Sequence, residues 1–260
     1  MSAPAPPRSH ITQELGLAVR REGDELHGVA ALTPEMWVPG TEQVRTSILA
    51  TWADTVAGLL AVSVLAPRVP TTIELDVHLY DPPPGAGRIH AVARTVKVGR
   101  VVVVSTVDFT DEDGEPIGVG AGSFMAAPDP SLRIPPEALR LDAVSRPTGR
   151  LRVPFADRAR CRRREPGVAE LPRSEDGLNS SRTINGGLVA LVAEEAALSL
   201  TPGASLASLG LRYLRPARVG PAVATADVRG GLGRVEVRDA GNDDRLAVVA
   251  TTRTFGSVAR

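Results

Sequence analysis

The amino-acid sequence predicts an α+β fold that is built twice along one chain of 260 residues. The first observation is an internal repeat, since the apolar segment "VRTSILATWADTVAGLLAVSVL" (44–65) has a counterpart in "RTINGGLVALVAEEAALSL" (182–200). When Arg45 is laid over Asn185, Asp54 falls on Glu194, and the flanking segments follow in the same order. The second observation is that each long segment has the apolar periodicity of a helix and is followed by several strands. Each half is therefore predicted to contain one dominant helix and an antiparallel sheet that wraps around it to bury it.

The strands are predicted from the alternation of apolar and polar residues. In "TTIELDVHLYD" (71–81) the two kinds of side chain point to opposite faces, Ile73, Leu75, Val77 and Leu79 to one and Glu74, Asp76 and His78 to the other. Further alternating segments follow, with "DEDGEP" as a turn, and "VATADVRGGLGRVEVRDAGNDDRLAVVATTRTF" repeats the plan in the second half. A Pro- and Arg-rich stretch separates the halves. These features divide the chain into an N-terminal extension (1–22), a first domain (23–128), a linker (129–150) and a second domain (151–260).

The composition excludes several classes of function. The 30 basic and 30 acidic residues cancel, so the chain has no overall field that would attract nucleic acid or a membrane surface. Aromatic residues make up only 3%, which argues against base-stacking surfaces. The single cysteine, Cys161, excludes a disulfide within the chain and a cysteine-rich metal site, and we expect no metal. Because the N-terminus resembles neither a signal peptide nor a membrane span, we expect a cytoplasmic protein.

Each predicted helix carries an acid among small apolar residues. Asp54 shares a helix face with Ala50, Thr51, Ala57 and Gly58, a stripe small enough for another backbone to approach closely. We expect the helix of the other half to be that neighbour. A desolvated acid there has a raised pKa and is useful as a base or a nucleophile. The alternative, that this acid and Glu194 are simply solvated, stays open at this stage.

The second helix begins at Asn185-Gly186-Gly187. Free N–H groups at a helix N-terminus hold negative charge, including the oxyanion of a reacting carbonyl, and glycines let a ligand approach the backbone. The alternative is an ordinary glycine turn in which Asn185 caps the helix. Glu195, one position beyond Glu194, is expected to be solvated or ion-paired.

The ordered set of motifs resembles a known family. In "NSSRTINGGLVALVAE", Asn179 is followed six residues on by Asn185-Gly186-Gly187, and Glu194 lies nine residues beyond Asn185. This is similar to the signature of hotdog-fold acyl-CoA thioesterases of the phenylacetate-pathway and 4-hydroxybenzoyl-CoA type, with Asn185 in place of a histidine. The "YLRP" and "HLYDPPPGAG" segments resemble the strand that follows the helix in that family. The resemblance covers about residues 23–256 and implies a tandem, or double, hotdog.

The family works as a pair of hotdog units, so the resemblance implies two composite sites. The first combines the glycine turn of the second half with the acid of the first half: Asn179, Asn185, Gly186, Gly187, Asp54 and Thr72. The second has lost its glycine turn and is expected to be degenerate: Glu194, Arg45, Thr46 and Ser47. Leu206 stands at the position that matches Thr72. The resemblance therefore implies one working site and one relic.

The first site implies hydrolysis of an acyl-CoA thioester to the free acid and CoA. A backbone N–H of Gly186 or Gly187 would polarise the carbonyl, Asp54 would act as nucleophile or general base, and Thr72 would orient the attacking water. Arg100 and Arg234 are candidates for binding the phosphates of CoA, with solvated turn arginines as the alternative. No cofactor is implied, because CoA is part of the substrate.

Two other functions remain open. The missing histidine favours a non-catalytic hotdog protein that binds an acyl thioester or acts as a scaffold. A hotdog dehydratase needs a catalytic histidine near an aspartate, and none of the four histidines lies in such a motif. We also expect two chains to pair as a homodimer through exposed sheet edges.

Overall fold

The structure is a computed structural model that describes residues 9–135, 147 and 149–255. The first half contains a long helix and six strands. In chain order they are β1 (Ala18–Glu22), β2 (Glu25–Ala31), α1 (Thr46–Leu65), β3 (Pro70–Leu79), β4 (Arg88–Val98), β5 (Val102–Thr110) and β6 (Pro116–Ala126).

The second half repeats this order after a short additional helix. Its elements are α2 (Phe155–Arg158), β7 (Arg162–Glu165), β8 (Val168–Leu171), α3 (Gly186–Leu198), β9 (Leu206–Tyr213), β10 (Ala222–Arg229), β11 (Leu232–Asp239) and β12 (Arg245–Thr254). The predicted α+β class, an antiparallel sheet around a central helix, is confirmed.

All described strands form one antiparallel sheet of twelve. The order is β1-β2-β4-β5-β6-β3 and then β9-β12-β11-β10-β8-β7, so that the second half mirrors the first. The halves join where β3 pairs with β9, with Asp76 opposite Gly210 at the middle of the register. This arrangement relates the halves by a local two-fold axis and brings α1 and α3 into contact on one side of the sheet.

The small residues of α1 have two partners, the helix of the other half, as expected, and the sheet. A Cβ on Gly187 of α3 would lie 2.2 Å from Oγ1 of Thr51. A Cβ on Gly122 of β6 would lie 3.6 Å from Ala57, and one on Gly58 would lie 3.6 Å from the ring of Phe124, also on β6. The stripe thus lets α1 approach α3 at Thr51 and settle onto the sheet at Ala57 and Gly58.

α1 is long and apolar enough to cross a membrane by length and composition alone. Its apolar character has another explanation in the fold, because twelve of its residues are buried between the sheet and α3. The helix is apolar on most of its circumference since it is surrounded on most sides by protein.

β1 and a short 3-10 helix lie before the predicted domain boundary at residue 23. β1 lies inside the predicted N-terminal extension (1–22), yet it pairs with β2 along its whole length. The segment before it forms a short 3-10 helix, Ile11–Leu15, whose apolar side chains are buried. The predicted linker (129–150) lies largely outside the described residues.

Candidate functional site

Asp54 lies on α1 and is joined to β3 by a short hydrogen bond. The Oγ1 of Thr72 donates to Oδ1 of Asp54 at 2.7 Å. Simple alternation would place Thr72 on the outer face of the sheet, with Glu74. A β-bulge at Ile73 changes this, because Thr72 pairs with Phe124 and Glu74 with the adjacent Ser123. The extra residue turns Thr72 towards the helix, as bulges beside functional sites often do.

The surroundings of Asp54 make it a stronger base than an ordinary aspartate. Burial raises its pKa from 3.8 to about 6, and the hydrogen bond from Thr72 partly opposes this rise. Desolvation disfavours the charged form, while a donor to the carboxylate favours it. With a pKa of about 6, the carboxylate of Asp54 is mostly ionised at neutral pH, and the residue as a whole keeps part of its surface exposed.

The glycine turn of the second half lies directly against α1, one turn before Asp54. A Cβ on Gly187 would lie only 2.2 Å from Oγ1 of Thr51, so only glycine allows this approach. Thr51 is three residues from Asp54 and therefore on the same helix face. The structure thus brings the turn and the acid together from different halves of the chain.

The two asparagines organise the turn. Oδ1 of Asn179 accepts hydrogen bonds from the backbone N–H groups of Ser181 and Thr183, at 3.0 and 3.1 Å, and so shapes the preceding loop. Oδ1 of Asn185 caps α3 by accepting from the N–H of Gly187 at 2.8 Å. For the N–H of Gly186 we find no partner within the described part of the chain. This leaves Gly186 as the N–H ready to bind an incoming carbonyl.

Tyr213 is a site residue that the sequence did not single out. It ends β9, and its hydroxyl donates to the carbonyl oxygen of Gly186 at 3.0 Å. Burial raises the pKa of Tyr213 well above 10, and the charge of Asp54 raises it further. The hydroxyl is therefore a protonated donor between the glycine turn and the acid. The only available signal was its position three residues before the proline of "YLRP", which indicates the end of a strand.

The predicted second site is closed by its own residues. Glu194 accepts from Oγ of Ser47 at 2.6 Å and from the N–H of Ser47 at 3.2 Å. Nη1 of Arg45 lies 3.1 Å from Oε2 of Glu194, and both side chains are completely buried. The carboxylate thus occupies the backbone donor that corresponds to the N–H of Gly187. Thr46 is also engaged, since its hydroxyl donates to the carbonyl of Leu206.

Glu195 extends this buried network. Oε1 of Glu195 lies 2.6 Å from Nη2 of Arg45, and its Oε2 accepts from Nε of Arg163 at 2.6 Å. Of the two states expected for Glu195, the ion-paired one is present. The buried guanidinium of Arg45 is held by a charge-assisted hydrogen bond to Glu194 and an ion pair with Glu195.

The two composite sites therefore differ in access. Five residues of the first site are partly exposed, namely Asp54, Thr72, Asn185, Gly186 and Tyr213. Their counterparts in the second are all buried: Glu194, Leu206, Arg45, Thr46 and Leu79. The first arrangement therefore keeps part of its surface in contact with solvent, whereas the second is sealed.

The two candidate phosphate-binding arginines stand apart from this site. Arg100 is exposed in the turn between β4 and β5. Arg234 is exposed on β11 and bonds to Glu236 at 3.3 Å. Among the described residues, no contact joins either arginine to Asp54 or to the glycine turn. A search of the same residues for clusters of three or more His, Cys, Asp or Glu side chains able to hold a metal finds none.

Comparison with known proteins matches one segment of the sequence and the fold. Residues 47–117 match the model of the thioesterase superfamily. That segment contains Asp54 and Thr72 but ends before the glycine turn of the second half. None of the curated proteins compared matches the sequence.

Solved structures with the same fold include two thioesterases. An acyl-ACP thioesterase from Bacteroides thetaiotaomicron superposes with a TM-score of 0.62 at 14% identity, over 89% of this chain and 98% of that one. A 12:0-ACP thioesterase from Umbellularia californica gives 0.62 at 12% identity, over 91% and 99%. The resemblance to hotdog-fold thioesterases is confirmed, and the family match together with the fold supports a thioester hydrolase.

Proposed function

We propose, on the premise that this chain is a hotdog-fold protein related to the thioesterase superfamily, that it hydrolyses an acyl-CoA thioester to the free acid and CoA. The reaction takes place at the composite site between Asp54 and the Gly186–Gly187 turn. The observation that carries the proposal is the contrast in exposure: residues around the raised-pKa acid are partly exposed, while their symmetry counterparts are buried.

The chemistry follows from the donors and the base. The N–H of Gly186 binds the thioester oxygen and stabilises the negative charge that develops on it. Asp54 takes a proton from a water that Thr72 orients, and the water oxygen attacks the carbonyl carbon. The carbon–sulfur bond then breaks, and the proton held by Asp54 passes to the departing thiolate. In the alternative route, Asp54 attacks the carbonyl directly and water hydrolyses the resulting anhydride.

The test is release of free CoA from short, medium, long and aromatic acyl-CoAs by the wild type and by Asp54→Asn. The two solved relatives are thioesterases of acyl-ACP, so the panel includes the same acyl chains on ACP. The matched control is Asp81→Asn, because Asp81 is exposed. We expect turnover by the wild type and the control and loss of turnover in Asp54→Asn. Turnover that survives the change at Asp54 would contradict the mechanism.

A second candidate is a non-catalytic protein that binds an acyl thioester. One observation favours it: Asn185 stands where the related enzymes have a histidine, and its side chain caps the N–H of Gly187. Measurable binding of acyl-CoA without CoA release, on every chain of the panel, would support this function and exclude hydrolysis.

We further propose that the protein is cytoplasmic and that two chains pair. The outer strands of the twelve-stranded sheet, β1 and β7, leave edges at which a second copy would add. Light scattering of the purified protein distinguishes a monomer of 27.3 kDa from a dimer.

A further inference from the structure

The hydroxyl of Tyr213 contacts the glycine turn, and this contact has no role in the hydrolysis proposed above. The Tyr213 hydroxyl lies 3.0 Å from the carbonyl oxygen of Gly186. The tyrosine ring also packs over the same residue, since a Cβ on Gly186 would lie 3.2 Å from the hydroxyl and 3.4 Å from Cζ. The turn is thus covered on one side by a single side chain from the end of β9.

The atoms that Tyr213 and Asn185 bind belong to one peptide group. The carbonyl of Gly186 and the N–H of Gly187 share a planar unit. Tyr213 donates to its oxygen, while Oδ1 of Asn185 accepts from its N–H at 2.8 Å. Two consecutive glycines leave a backbone with the widest choice of conformations. These two hydrogen bonds, one at each end, restrict that choice to a single orientation.

The sealed half lacks this arrangement. The position that corresponds to Tyr213 is Leu79, a buried residue with no hydroxyl to donate. There the N–H of Ser47 binds Glu194 instead, and the helix start is held by the buried ion pair with Arg45. The tyrosine is therefore present only where the turn faces an accessible acid.

We propose that Tyr213 is a positioning residue of the thioester site: by fixing the Gly186–Gly187 peptide it holds the backbone of Gly186, and with it the direction of the Gly186 N–H that is offered to the substrate. This inference rests on the proposed function. A donor on the carbonyl side also polarises the peptide group and strengthens the hydrogen bond from the Gly187 N–H to Asn185. Burial, and to a smaller extent the charge of Asp54, raises the pKa of Tyr213 well above 10, so that its hydroxyl stays a donor at neutral pH.

The test compares Tyr213→Phe with Tyr80→Phe. The chain has two tyrosines, and Tyr80 is 59% exposed, so its hydroxyl is a matched control. We expect Tyr213→Phe to shift the NMR amide signals of Gly186 and Gly187 and to speed the hydrogen exchange of the Gly187 N–H. We also expect kcat to fall about tenfold with little change in KM, since one lost hydrogen bond of about 1–1.5 kcal/mol corresponds to roughly that factor. Tyr80→Phe should change none of these.

Two results would overturn the inference. Unchanged glycine amides in Tyr213→Phe would show that the hydroxyl does not hold the peptide. Shifted amides with an unchanged kcat per folded molecule would show a purely structural role, which a thermal melt would report as a lower Tm. If the wild type releases no CoA, the proposed hydrolysis fails separately. The amide signals of Gly186 and Gly187 and the hydrogen exchange of the Gly187 N–H then remain as the readout, and their being unchanged in Tyr213→Phe would refute the positioning role.

Discussion

Replacing Asp54 by asparagine removes the carboxylate charge and keeps an oxygen that can accept the hydrogen bond from Thr72. The structure predicts that this change abolishes turnover and at the same time stabilises the fold. The reason is that burial disfavours the charged carboxylate of Asp54 and raises its pKa from 3.8 to about 6. The folded protein at neutral pH therefore carries a charge that would be more stable in the unfolded chain.

The magnitude follows from the pKa difference. About two pKa units between the folded and unfolded states correspond to about 3 kcal/mol of unfolding free energy. The carboxylate keeps some contact with solvent, which lowers the expected gain of Asp54→Asn to about 2 kcal/mol at pH 8. Because the pKa is raised in the folded state, the penalty is absent below about pH 4, grows as pH rises to about 6, and is constant above that.

The assay is urea unfolding of wild type, Asp54→Asn and the exposed control Asp81→Asn at several pH values between 5 and 8. We expect the stability of Asp54→Asn to exceed that of the wild type by an amount that grows with pH, while Asp81→Asn follows the wild type. A variant less stable than the wild type, or a difference independent of pH, would refute the reasoning about desolvation. Loss of turnover combined with a gain in stability would identify an acid retained for chemistry.

Three further predictions concern the buried ion network, the glycine turn and the hydrogen bond from Thr72 to Asp54. Glu194→Gln should destabilise the fold by about 3–5 kcal/mol in urea unfolding, because it weakens the pairing of a buried guanidinium; a loss below about 1 kcal/mol would contradict the sealed site. Gly187→Ala should lower the free energy of unfolding by about 1–3 kcal/mol, because the added methyl group overpacks against Thr51. The double variant with Thr51→Ala should regain part of that stability, whereas additive losses would show that the two residues do not touch. Thr72→Val removes the donor that lowers the pKa of Asp54, so the rising limb of kcat/KM against pH should move to higher pH. Thr72→Ser keeps the hydroxyl and should retain the wild-type profile. An unmoved limb in Thr72→Val would show that this hydrogen bond does not lower the pKa of Asp54.

The repeat carried most of what the sequence could predict. Laying Arg45 over Asn185 placed both helices and aligned Asp54 with Glu194, an inference that needs only the order and spacing of motifs. The pairing of Asp54 with the glycine turn of the other half, and the loss of the glycines at the second site, were implied by the resemblance to hotdog-fold thioesterases. The roles of Asp54 and the turn in catalysis stay predictions until the assays are made.

Other features depend on packing that one sequence does not display. The alternation of β3 places Thr72 outside, and only the bulge at Ile73 turns it inward. The loss of glycines at Thr46 and Ser47 was visible, but the complete burial of Arg45 against two acids was not, since a free-standing arginine is usually a surface residue. The role of Tyr213 was missed because it depends on where the end of β9 meets the start of α3.

The sealed site has a consequence for how such a chain can change over generations. In a symmetric pair of identical subunits every substitution appears at both sites at once, so an arginine at the start of the helix would close both. In a covalent tandem the two copies of one motif are inherited as separate positions. One copy can then keep a buried carboxylate that destabilises the fold but can act as a base. The other copy can carry, in place of glycines, a buried ion network that stabilises the contact between the halves. A covalent tandem can therefore assign reactivity and rigidity to different copies of the same helix.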